Sequence, residues 1–99
     1  MDRLLNKARK IAKDKNIINW QTLEISEAKN KRFSIMSPSG KKINFGLWPF
    51  KQGTFLDHQD TKIRDAWRAR HSKILLKDKT LAYKNKESPE YYSYRILWD

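Results

Sequence analysis

Four residues close together in this sequence could combine for proton transfer or metal ligation: Asp57, His58, Asp60 and His71. An imidazole titrates near neutrality and ligates divalent metals, and a carboxylate beside it can orient the ring or complete a ligand set. The stretch that carries them, FLDHQDTKIRDAWRARH, has a helix between the two histidines that can hold them well apart. The same residue types serve another purpose equally well. Asp57 and Asp60 can accept from free amides at a helix start, and His58 and His71 can brace a loop or an interface. Clusters of this kind are more often structural, so no catalytic residue, metal ligand or cofactor is assigned to them. Gly40, Gly46 and Gly53 stand isolated and form no phosphate loop, and no nucleophile has a base beside it.

The stronger chemical signal is charge. There are 22 basic and 11 acidic residues, a net charge of +11. Such an excess attracts polyanions, whether nucleic acid, an anionic membrane surface or an acidic protein patch. From Lys62 to Lys86 there are nine basic residues and two acidic ones. Lys62, Arg64, Arg68, Arg70 and Lys73 are the expected phosphate contacts, and the abundance of lysine suits attraction to the backbone better than bidentate reading of bases. Trp48 and Phe50, in a short segment after the second strand, are candidate partner anchors or stacking surfaces. No cysteine is present, which excludes disulfides and thiolate metal sites. No stretch has the length of a membrane span, and no small-molecule substrate is indicated.

Those residues must be positioned by a few elements. Phe33 and Ile35 alternate with Ser34 and Met36, and Ile43 and Phe45 with Lys42 and Asn44. This period of two predicts a β-hairpin over Lys31–Gly46, each strand with one apolar and one wetter face. Ser37-Pro38-Ser39-Gly40 supplies its turn. Asp60 or Thr61 starts a helix in which Ile63, Ala66, Trp67 and Arg70 make a narrow stripe toward the hairpin. Residues 1–16 predict an amphipathic basic helix with Leu4, Leu5, Ala8, Ile11 and Ala12 on one side. Trp20–Ser26 reads as a third strand, with Leu23 and Ile25 on one face, although Glu24, Glu27 and Ala28 also fit a helix. Residues 72–86 read as a lysine-rich connection with a helical turn or two. Ser88-Pro89-Glu90 announces an aromatic helix over 88–98, with Tyr91, Tyr94 or Arg95, and Trp98 at helical spacing. The expectation is one α+β domain over residues 1–99, centred on residues 31–71, with a small antiparallel sheet packed on a basic helix.

Four blocks in fixed order, KRFSIMSPSGKKINFG, FLDHQD, RDAWRARH and SPEYYSYRILW, resemble a family of small basic proteins of unassigned biochemical function. Its members are encoded by nucleocytoplasmic large DNA viruses and by some tailed phages. The resemblance covers Lys31 to Trp98, excludes the first thirty residues, and crosses a region, Lys73 to Lys86, that varies in length. It implies a viral gene product and leaves the activity open. The resulting expectation is a non-enzymatic virion component, a minor capsid, cement or core protein. Its partners would be capsid proteins or packaged DNA, and it would reside in host cytoplasm or viral factory before assembly. A free, sequence-independent nucleic-acid-binding protein is the alternative. The Asp57-His58 pair after a hairpin, with His71 on the next helix, also loosely resembles the ββα-metal nucleases of the HNH type. There the pair belongs to the hairpin itself and a loop separates it from the helix, so the nuclease is the distant third reading.

Overall fold

Alternation over residues 31–47 and the turn between its halves set the register of the sheet around which the chain is arranged. A computed structural model describes residues 2–48 and 53–99. Within it, β1 (Glu24–Ile25), β2 (Lys31–Met36) and β3 (Lys42–Leu47) form an antiparallel sheet in the order β1-β2-β3. Phe33 lies opposite Phe45 and Ile35 opposite Ile43, so four apolar side chains project from one face at the matched register. The Ser37 amide donates to the Lys41 carbonyl at 2.8 Å and the Gly40 amide to the Ser37 carbonyl at 2.9 Å. Gly40 takes a positive φ of 86°, the conformation expected of glycine in that turn.

Among the described residues there are four α-helices: α1 (Asp2–Asp14), α2 (Phe55–His58), α3 (Thr61–His71) and α4 (Pro89–Tyr92). The α+β expectation holds. Ala8 and Ala12 of α1 are fully buried, with Leu5 and Ile11 packed partly against the same core. Asp60 caps α3, its carboxylate accepting from the Lys62 and Ile63 amides, and Ser88 caps α4 by accepting from the Glu90 amide. After α4 the chain widens into a π-type turn over Ser93–Leu97. One core unites Leu23, Phe33, Ile35, Ile43, Phe45, Leu56, Tyr92, Ile96 and Leu97 with the buried face of α1.

Several expectations are corrected. The third strand is only two residues long, because Trp20–Thr22 forms a 3-10 turn before it. That turn buries Leu23 fully while leaving Ile25 38% exposed, so the two do not share a face. The wetter face of β2 is not wet: Arg32 and Ser34 are as buried as Phe33 and Ile35. The stripe on α3 is also misplaced, since Ile63, Ala66 and Arg70 are exposed and Trp67 alone of the four is half-buried. In the terminal segment the widened turn shifts the buried set to Tyr91, Tyr92, Ile96, Leu97 and Trp98.

Candidate nucleic-acid interface

Helical periodicity and burial divide the five expected phosphate contacts into two groups. Lys62 and Arg70 lie along the solvent side of α3 with Ala66 and Ala69, and Lys73 follows in the turn just past its end, all exposed. Among the described residues, none of these three cations has a carboxylate within ion-pair distance. Arg64 and Arg68 lie on the other side and are engaged. Arg64 donates to Asp65 at 3.0 Å and covers the Phe55 ring, 4.8 Å from its centroid. Arg68 donates to Asp99 at 2.6 Å and sits 4.2 Å from the centroid of Tyr94.

Most carboxylates are drawn inward or spent locally. Asp57 pairs with Arg32, Asp60 caps α3, and Glu90 bonds His71. Glu87 accepts from the Ser37 and Ser39 hydroxyls, at 2.7 and 2.5 Å, tying the hairpin turn to the segment before α4. Burial tends to raise the pKa of Asp57, but hydrogen bonds from Arg32 and Thr54 outweigh it and hold the carboxyl below its ordinary range.

The inner side of α3 carries an aromatic stack. Trp67 lies between His71 and Trp98, at centroid separations of 3.8 and 4.8 Å with ring planes 9° and 8° apart. His71 Nδ1 is 2.5 Å from Glu90 Oε1. Together with Phe45, Leu47 and Trp98 these residues line a cleft of about 680 Å³. His58 lies elsewhere: its Nδ1 accepts from the Asp60 amide at 2.9 Å, and its ring meets Trp98 edge-on at 5.7 Å. The histidines therefore do the bracing described above. Asp57 is committed to Arg32 and Thr54, so the HNH-like set of Asp57, His58 and His71 is not brought together. Among the described residues no group of three His, Cys, Asp or Glu side chains is placed to hold a metal ion.

Trp48 leaves the end of β3 with its amide donating to the Asn30 carbonyl, beside Leu47, which is 66% exposed. Phe50 lies outside the described residues. No helix among the described residues is long and apolar enough to cross a membrane.

Sequence reasoning missed three features here. Arg32 gave no sign of burial, because an arginine in an alternating strand reads as solvent-facing. The four-residue α2 lies in a stretch to which no element was assigned, although Thr54 and Asp57 carry a capping-box spacing that could have marked it. Lys15 and Arg68 meet on the Asp99 carboxylate with no sequence proximity to signal it.

Residues 21–71 match the model of a family of unknown function, DUF5754. Comparisons with curated proteins and with solved structures give no significant match.

Proposed function

We propose a function from surface chemistry alone, because the chain belongs to the DUF5754 family and that family is of unknown function. The protein is a non-enzymatic structural protein that engages nucleic acid through backbone phosphates, and the solvent side of α3 makes the contact. The observation that carries this reading is the group Lys62, Arg70 and Lys73, exposed and without carboxylate partners among the described residues, in a chain of net charge +11. Two lysines and one arginine, on the solvent side of α3 and in the turn just past it, favour attraction to phosphate over base reading, so binding is indifferent to sequence. Residence in a virion, as a core or minor capsid protein next to packaged DNA, follows from the resemblance of its sequence blocks to proteins of large DNA viruses and tailed phages.

Binding of the purified protein to random duplex DNA at two salt concentrations, with and without magnesium, tests this. Supporting behaviour is affinity that falls steeply with salt and no cleavage in either case. Absence of binding at both salts would redirect the charge to acidic protein partners, and magnesium-dependent cleavage would overturn the non-enzymatic reading.

A further inference from the structure

We propose that the cleft lined by α3, α4 and β3 takes one unpaired base of a nucleic-acid strand, which stacks on the open face of His71. Trp98 lies on Trp67 and Trp67 on His71, with planes 8° and 9° apart. Among the described residues no further ring continues that stack beyond His71. Trp67 covers one face of the imidazole, and Glu90 holds its Nδ1 edge at 2.5 Å. The His71 side chain is nonetheless 29% exposed, so its accessible surface lies on the opposite face and on the Nε2 edge. His71 lines the cleft of about 680 Å³, a volume within the range of small-ligand sites and ample for a base.

The walls of the cleft match the chemistry of a base. Phe45, Leu97 and Trp98 give an apolar lining, and His71 and Glu90 give acceptors. With the Nδ1 proton directed at a carboxylate, the neutral imidazole presents Nε2 as an acceptor. Among the described residues no donor reaches Nε2 or the second Glu90 oxygen. Bases carry ring N–H and exocyclic amine donors on the edge of a stacking plane, which suits both. Lys31, exposed on the β2 side of the same cleft, supplies a cation for the attached phosphate. Arg70 precedes His71 and Lys73 follows it by two residues, so cations assigned above to the backbone adjoin the stacking face in the chain. The inference rests on that phosphate-binding reading and adds to it a preference for single-stranded segments. In a duplex the bases are paired and stacked, and extruding one is costly. Stacking tolerates every base, which agrees with binding indifferent to sequence.

NMR titration with a blunt duplex, and with the same duplex carrying short unpaired tails, tests this. His58 and His71 are the only histidines, so their ring signals are readily told apart. The expected result is a saturable upfield shift of the His71 ring protons with the tailed duplex and little change with the blunt one. The His58 signals should stay in place. Tails should tighten binding by about ten-fold, the increment expected of one stacked base. His71→Ala should bring the ratio of tailed to blunt affinity down to about one, and His71→Phe, which keeps a stacking face, should retain part of it. Lys31→Gln should weaken the tailed duplex more than the blunt one, and because Lys31 is exposed this variant carries the test if melting curves show His71→Ala to be unfolded. Equal wild-type affinity for the two duplexes, or a His71 signal that ignores the tails, would overturn the proposal and leave the phosphate contact on α3 intact. A mononucleotide that shifts His71 where the tails do not would also overturn it, assigning the cleft to free nucleotide. If unpaired tails shift His71 and the blunt duplex is not bound at all, the cleft assignment stands and the function proposed above fails.

Discussion

Arg32, a strand residue whose side chain is wholly enclosed, meets Asp57 of α2 in two hydrogen bonds of 2.7 and 2.6 Å. Asp57 Oδ2 also accepts from the Thr54 amide and hydroxyl, at 2.7 and 2.9 Å, so one carboxylate closes the start of α2 and neutralises the arginine beneath it. This link fixes α2 on the sheet and, through the connection to Asp60, fixes where α3 begins. The site on α3 depends on it.

Removal of one partner of a buried pair leaves the other charge stranded. Asp57→Ala should therefore destabilise the protein by about 3–5 kcal/mol, and the Arg32→Met/Asp57→Leu double variant should be clearly more stable than that single one. Urea denaturation followed by tryptophan fluorescence provides both numbers. A single variant as stable as the wild type would mean that the pair does not hold the fold.

The same carboxylate gives a pH dependence with a definite sign. Asp57 is held below its ordinary value of 3.8 in the folded state, so the unfolded chain binds its proton more readily. Its stabilisation is fully present above that ordinary value and is lost as pH falls through the lower folded value. Melting temperature should decline below about pH 4, and the Asp57→Asn variant should show a shallower decline. Parallel acid profiles for the two proteins would contradict this assignment.

Gly46 combines a φ of +83° with a position where an added Cβ would stand 2.9 Å from the Arg32 Cβ and 3.1 Å from Leu97. Gly46→Ala should cost about 1–3 kcal/mol. Gly40→Ala shares the backbone strain, but an added Cβ there meets nothing within 4 Å. It should be the milder variant in the same thermal melts, and the reverse order would refute the packing argument.

The hairpin was legible because its alternation, its Ser-Pro-Ser-Gly turn and its length all pointed the same way. The starts of α3 and α4 were legible for a similar reason: Asp60 and Ser88 are of the residue types that accept from the free amides of a helix start, and both do so. What escaped was tertiary. Arg32 and Ser34 alternate correctly with Phe33 and Ile35, but periodicity cannot tell that Arg32 will be enclosed against Asp57 of a four-residue helix. Ile63 and Ala66 looked like core companions of Trp67. The inner side of α3 is instead built from Trp67, His71 and Arg64, which reach the core as a polar and aromatic layer that a hydrophobicity pattern does not register. Of the candidate site, charge was legible as a total and a region. The division between free cations on one side of α3 and engaged ones on the other needed the fold.

Trp67 touches His71 on one ring face and Trp98 on the other, so its removal opens the stack from the middle. Trp67→Ala should lose about 3 kcal/mol, a large share of the ~5–15 kcal/mol typical of a small domain, and Trp67→Phe should lose less. Guanidinium denaturation measures it, and a normal unfolding midpoint for Trp67→Ala would contradict the stacking role.

The central claim is that the solvent side of α3 meets phosphate, and one comparison tests it most directly. Duplex DNA affinity should be measured across a range of salt for the wild type and for Lys62→Gln/Arg70→Gln/Lys73→Gln. All three substituted residues are exposed, so the variant should retain its melting temperature. The account predicts weaker binding by the variant at every salt concentration. It also predicts a slope of log affinity against log salt that is smaller in magnitude by about 3, roughly one for each cation removed. Equal affinity and an equal slope in a folded variant would contradict it.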